Sequence, residues 1–370
     1  MKPTIKSITE EKDILSFTLQ NINVSLANSL RRIILSEIIT TVINPDAVDD
    51  DIPSCDISIN TSRIHNEMLK QRLSCIPVHT FDPEFKNKYI LELDVQNKTD
   101  AIMFVTTEDF QIREISSGNL LSKDETKKIF PPCLKTNYYI DVTRLKPQIS
   151  DKIPGEHIKL TCKFALGKAK ENSCFNVVSK CSYGFTPDIE GITSTWETII
   201  TDLRKQNMEE KEIEFKRKNF MLLDAQRIYL KNSFDFVVKT VGVYENKDIV
   251  KIGAQTLYNK YVKFMEDLET DIVPIISSET TIDFCYDVIL IEEDYTIGEV
   301  LEYFLYNKFY IGEKKLSFCG FKKMHPHDMK STLRLALNEM GDKTVIKQLL
   351  KTVITDAQYV YKEIFTIFSN

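Results

Sequence analysis

A short pattern occurs twice in this chain, 271 positions apart, and that repetition limits the architecture more than any other feature. Ser25-Leu26-Ala27-Asn28-Ser29-Leu30 follows the strand-like Leu15-Ser16-Phe17-Thr18-Leu19. Thr296-Ile297-Gly298-Glu299-Val300-Leu301 follows Tyr286-Asp287-Val288-Ile289-Leu290. In both copies a Ser or Thr stands six positions after the last strand leucine, where its hydroxyl is expected to cap the next helix. Strand, cap and amphipathic helix therefore recur as one unit. The fold class this implies is α+β, with two related half-domains forming a pseudo-symmetric intramolecular dimer. Such a chain is built for assembly rather than chemistry.

Between the copies the texture changes. Residues 3–9 and 13–20 alternate as a hairpin with Glu10-Glu11-Lys12 as its turn, and a helix is expected over 24–39. On that helix Ser25, Ser29, Arg32 and Ser36 form a mostly small stripe that permits close approach of another surface. Asn44-Pro45 and Asp49-Asp50-Asp51 break the pattern; a strand near 55–60 and a helix capped by Thr61 or Ser62 and stopped by Pro77 follow. Short β-like stretches then run to about Phe185 (89–95, 101–106, 138–142, 157–164 and 175–183). Residues 45–185 are read as a β-rich domain inserted into a first unit made of 1–44 and 186–270. A charged helix is expected from Trp196 to Leu223, residues 271–280 around Pro274 form a linker, and 281–370 form the second unit.

Two long helices carry matching apolar ridges. Val250, Ala254, Leu257, Tyr261, Phe264 and Leu268 recur at spacings of 4, 3, 4, 3 and 4. Ile346, Leu350, Val353, Ala357, Val360, Ile364 and Ile367 continue the same rhythm. Each is a seam suited to helix-on-helix packing, and each closes one copy of the repeated unit. The expectation is that the two seams face each other, so no homo-oligomer is needed.

Leu26-Ala27-Asn28-Ser29-Leu30-Arg31-Arg32-Ile33 resembles the helix signature of the alpha-like subunits of multisubunit RNA polymerases: the bacterial alpha subunit, the archaeal D and L subunits, and the third and eleventh subunits of eukaryotic RNA polymerase II. Asn60-Thr61-Ser62, Glu67, Arg72-Leu73 and Ile76-Pro77 resemble the segment leading into the inserted domain of the larger subunit. Phe236-Val237-Val238-Lys239-Thr240-Val241-Gly242 resembles its returning strand. Asp294-Tyr295-Thr296-Ile297-Gly298 is similar to the start of the smaller subunit's helix. Phe318-Cys319-Gly320-Phe321-Lys322-Lys323-Met324-His325-Pro326 is similar to its F-x-G-Y-K-x-x-H-P element, with Phe321 in place of Tyr.

The resemblance implies a fusion of third-subunit-like and eleventh-subunit-like proteins, an arrangement found in large DNA viruses. With the abundance of Ile, Lys and Asn it implies a viral source, with the protein in host cytoplasm or nucleus or packaged in a virion. It implies a non-catalytic assembly platform for the largest and second-largest polymerase subunits, with small zinc-bearing subunits alongside. Asn28, Arg31, Arg32, Arg72, Phe318, Lys322 and His325 are the residues it assigns to large-subunit contacts.

Composition is consistent with that role. A net charge of −6 gives no global attraction to nucleic acid, so DNA is contacted only indirectly, through the complex. No apolar run reaches the roughly 18 residues of a membrane span. The eight cysteines lack a C-x-x-C pair and read as reduced, intracellular thiols rather than a disulfide framework. No cofactor, zinc or iron–sulfur cluster is expected, because neither those cysteines nor Cys319 with His325 and His327 have a complete ligand pattern. Phosphate loops and nucleophile elbows are absent, and contiguous Asp49-Asp50-Asp51 point to alternating faces. The chain is therefore not read as an enzyme by itself. The alternative reading is a free-standing regulator that binds DNA or protein through the inserted domain.

Overall fold

The computed structural model describes residues 1–45, 48–49, 52–150 and 152–369. Asp50 and Asp51 of the acidic run lie outside them. In chain order the helices among the described residues are α1 (Val24–Ser36), α2 (Asn66–Ser74), α3 (Phe85–Lys88), α4 (Lys123–Ile129), α5 (Ile189–Lys205), α6 (Glu210–Leu222), α7 (Asn246–Glu269), α8 (Tyr295–Leu305) and α9 (Lys343–Ile367). Contacts divide the chain into two compact units.

The first unit comprises Met1–Ile34, Lys180–Lys239 and Asn246–Asn370. One of its sheets orders the strands Thr4–Glu11, Ile14–Gln20, Tyr229–Thr240 and Val178–Pro187. The second strand leads into α1 and the third precedes α7. Another sheet orders Ile275–Ser277, Cys285–Ile291, Lys330–Leu337 and Leu316–Lys322, and there the second strand leads into α8 and the third precedes α9. Strand order and helix placement are the same in both. Alternation explains why these segments are strands: Leu15, Phe17 and Leu19 are buried while their neighbours are half-buried.

Local details differ from the sequence reading. The first hairpin turns at Lys12-Asp13, both with positive φ (51° and 65°), so its turn is a two-residue type rather than the expected Glu10-Glu11-Lys12. The charged helix is two helices, α5 and α6, which fold on each other around Trp196, Leu203, Ile213 and Phe220. Asn207, at φ 54°, reverses the chain between them. The stretch expected as a linker is partly a strand: Ile275–Ser277 pairs with Cys285–Ile291, and the Pro274 carbonyl accepts the Ile289 N–H at 2.9 Å. An edge strand of that length needs only backbone pairing, which alternation cannot reveal.

The second unit comprises Leu35–Ser179 with Thr240–Glu245. Its central strand, His157–Lys168, pairs on one side with Tyr89–Gln96 and on the other with both Ile39–Ile43 and Cys55–Asn60. The β-rich region thus begins before residue 45, because Ile39–Ile43 pairs with this strand. α2 begins at Asn66, with His65 at its N-cap, later than Thr61 or Ser62 would set it. Leu69 and Leu73 of α2 enter the core with Leu91, Leu93 and Leu160.

Candidate functional site

The longest apolar surfaces of the first unit belong to α7 and α9, and they pack on each other. Val250, Ala254, Leu257, Tyr261 and Leu268 of α7 are buried; Phe264 is half-buried at the margin. From α9, Ile346, Leu350, Val353, Ala357, Val360 and Ile364 are buried, while Ile367 is half-buried. The helices run antiparallel, as three contacts fix. Lys251 Nζ lies 5.6 Å from the Phe365 ring centroid, Tyr261 stacks on Tyr361 at 5.8 Å, and Lys351 Nζ meets Glu269 at 2.8 Å. Burial pushes both tyrosine hydroxyls upward in pKa, so each stays neutral within the seam.

Of the small stripe on α1, Ser29 lies at this seam, beside Tyr361. Ser29 is buried, and Tyr361 Oη comes within 3.5 Å of the Leu26 carbonyl. A Cβ added to Gly253 of α7 would sit 2.8 Å from Ile34, so α1 and α7 approach through a position where only hydrogen fits comfortably.

The helix caps are displaced from the residues expected. Asn23 Oδ1 accepts the Ser25 N–H at 2.9 Å, and Asp294 Oδ1 accepts the Thr296 N–H at 2.8 Å. The capping residue is therefore an Asx two positions before the hydroxyl, again 271 positions apart. Thr296 is freed for another task. Its Oγ1 accepts from Arg32 Nε at 2.8 Å, and Asp294 Oδ2 accepts from the same guanidinium at 2.5 Å. Arg32 on α1 thus clamps the start of α8. Lys260 of α7 reinforces the contact by pairing with Glu293 at 3.1 Å, and Lys347 of α9 pairs with Asp271.

Arg32 is among the residues expected at a large-subunit contact. Its charge is engaged within the chain by Asp294, where it joins α1 to α8. Arg31 is half-buried and its Nε donates to Asn28 Oδ1 at 3.0 Å. Phe318 and Lys322 lie exposed on the strand Leu316–Lys322, with His325 exposed in the turn beyond. Arg72, in the second unit, is exposed and donates to the Asp141 carbonyl at 2.8 Å. Cys319 Sγ lies 3.8 Å from the Glu302 carbonyl, and the His325 and His327 rings lie 5.1 Å apart, tilted by 40° to each other. Among the described residues no three His, Cys, Asp or Glu side chains converge on a metal position. No helix among them is long and apolar enough to cross a membrane.

Sequence reasoning overlooked Asp294 as a clamp, and the pairs Lys260–Glu293 and Lys351–Glu269. A signal was present: both helix starts read Asx-x-Ser/Thr, as Asn23-Val24-Ser25 and Asp294-Tyr295-Thr296. Phe321 also gains a purpose. Its ring covers Gly298, where an added Cβ would lie only 2.1 Å from the ring, and it stands edge-on to Tyr295 at 5.3 Å.

Comparison with known proteins decides the family. The RNA polymerase Rpb3/Rpb11 dimerisation domain matches residues 16–261. The chain belongs to that family. It is 25% identical over 286 residues to the DNA-directed RNA polymerase subunit Rpo3 of Pyrococcus horikoshii, covering 72% of this chain and 97% of the relative. Human DNA-directed RNA polymerases I and III subunit RPAC1 is 22% identical over 299 residues, covering 70% of this chain and 82% of the relative. Subunit 3B of RNA polymerases IV and V from Arabidopsis thaliana is 26% identical over 197 residues, covering 50% and 58%. This Rpb3/Rpb11-family chain therefore holds nearly all of the Rpo3 length in under three quarters of its own.

Proposed function

We propose that this Rpb3/Rpb11-family chain is a structural, non-catalytic subunit of a DNA-directed RNA polymerase, carrying both partners of the family's dimerisation pair in one polypeptide. The observation that carries the reading is the repeated sheet order, with α7 and α9 each following the third strand of its own sheet and packing together. The family match ends at residue 261. The sheet Ile275–Leu337 and helices α8 and α9 lie beyond it and supply the eleventh-subunit-like partner. A pair that elsewhere must meet by diffusion is here tethered, which removes the concentration dependence of its assembly.

On this reading the paired halves hold the two large catalytic subunits in register. The first half, through Asn28, Arg31 and Arg72, engages the second-largest subunit. The second half, through Phe318, Lys322 and His325, engages the largest. Arg32 shares in the second-largest-subunit contact and also pairs with Asp294 within the chain. Small zinc-bearing subunits dock alongside, DNA is met only through the complex, and a large DNA virus is the source in which such a fusion would serve. The site of action would be host cytoplasm or nucleus, with packaging in the particle.

The test is isolation of the tagged chain from its native source under mild salt. The expected result is a stoichiometric complex with two polymerase subunits of catalytic size, weakened on one side by Arg31→Ala and on the other by Lys322→Ala with His325→Ala. A chain that elutes alone and shifts duplex DNA by itself would overturn the proposal in favour of a free-standing regulator.

A further inference from the structure

The inserted unit brings together two of the eight cysteines. Cys55 opens the strand Cys55–Asn60 and Cys162 lies in the middle of His157–Lys168, directly opposite it in the antiparallel register. The Lys163 N–H donates to the Ser54 carbonyl at 2.7 Å, which makes Cys55/Cys162 a pair not joined by its own backbone hydrogen bonds. At such positions opposed strands come closest, with Cα atoms about 4.5 Å apart. That separation falls within the range a disulfide spans. The two Sγ atoms are 2.7 Å apart and both residues are buried. Even the smaller carbon atoms sit at roughly 3.5–4.0 Å in ordinary contact. Two further strand cysteines are placed differently: Cys285 faces Ala336 and Cys319 faces Leu335.

We propose that Cys55 and Cys162 are a disulfide-forming pair that staples the start of the inserted unit to its central strand. The oxidant is a low-molecular-weight disulfide of the glutathione class. One cysteine, as thiolate, attacks a glutathione sulfur, forming a mixed disulfide and releasing one reduced glutathione. The second cysteine, as thiolate, attacks the protein sulfur of that mixed disulfide and releases the other. Two thiol protons leave, and the two electrons reside in the reduced glutathione pair. Closure of the core limits when this happens. The neighbouring Cys55 thiol, together with burial, holds the Cys162 thiol protonated. Bonding therefore takes place while the two strands are still zipping together, and the finished bridge is then shielded from reductants. The cysteines are 107 positions apart, so the bridge closes a long loop, the case in which a cross-link restricts the unfolded chain most.

The test uses the full chain produced in two hosts, one with an oxidising and one with a reducing cytoplasm, each lysed into an alkylating agent. Peptides are then mapped by mass spectrometry without reduction. The expected product of the oxidising host contains a Cys55–Cys162 cross-linked peptide with the remaining cysteines alkylated, and it persists in a Cys75→Ser/Cys133→Ser background. The product of the reducing host has every cysteine alkylated. Full alkylation in both hosts, or pairing of either residue with a different cysteine, would overturn the proposal.

Discussion

The two helix starts, at Asn23 and at Asp294, have the same geometry and different charge. Each Asx side chain accepts the N–H two residues on, so each does the same local work for its helix. Only the Asp also receives a guanidinium. Arg32 reaches it from α1, and the position 271 residues after Arg32 is Tyr303, which carries no charge to return to Asn23. The two helix starts thus differ by an ion pair that ties α1 to the second of them.

That comparison can be broken at several depths. The seam is what both halves share, so Leu257→Asp and Val353→Asp should be equally severe. Each buries an unpaired carboxylate, at a cost of about 4 kcal/mol or more. Urea unfolding followed by circular dichroism should show both variants losing the wild-type transition; a normal transition in either would refute the shared seam. The helix starts should separate the halves. Asp294→Ala removes a cap and the clamp together, about 2–3 kcal/mol, whereas Asn23→Ala removes a cap alone, about 1 kcal/mol. Equal losses would mean that Arg32 contributes nothing in solution, and Arg32→Ala combined with Asp294→Ala measures their coupling directly.

A third contrast is steric. Gly298 corresponds by the repeat to Ala27, yet only Gly298 lies under an aromatic ring. Gly298→Ala should cost about 2 kcal/mol by overpacking and be partly rescued by Phe321→Leu. A thermal melt unchanged by the single substitution would show that the ring moves aside freely. The smallest effect concerns acid. Asp287 pairs with Arg334 at 2.6 and 2.7 Å, and that hydrogen-bonded ion pair holds its carboxyl below the ordinary value of 3.8; the corresponding residue of the first half is Ser16. A lowered carboxyl pKa gives stability that is present above the unfolded value and lost as pH falls through the folded one. Asp287→Asn should therefore cost about 1 kcal/mol at neutral pH and flatten the loss of stability below pH 3.8, read from melts across pH 2–6.

Much of this was readable from residue order. The spacing of Val250 through Leu268 and of Ile346 through Ile364 marked long helices with one apolar ridge, because a helix brings every third and fourth residue to one side. The caps were missed by two residues, since Ser, Thr, Asn and Asp are all competent there and only backbone geometry decides among them. The break between α5 and α6 was missed because no Gly or Pro marks it and residue order does not announce that Asn207 adopts a left-handed conformation. Residue order does not sort the site residues for a similar reason: a charge on a helix face is equally suited to solvent, to another protein or to a neighbour within the chain.

Sequence by itself determined the existence of two strand–helix units, the helices that carry their seams, and the family motifs that connect them. Those properties arise from short-range periodicity, which a linear chain displays openly. Tertiary structure decided that α7 and α9 run antiparallel, that Arg32 is drawn inward to Asp294, and that Cys55 meets Cys162 across a narrow pair. Each of these joins residues separated by 82 positions or more, and only the closing of sheets and helices against one another sets which of many compatible partners comes within reach.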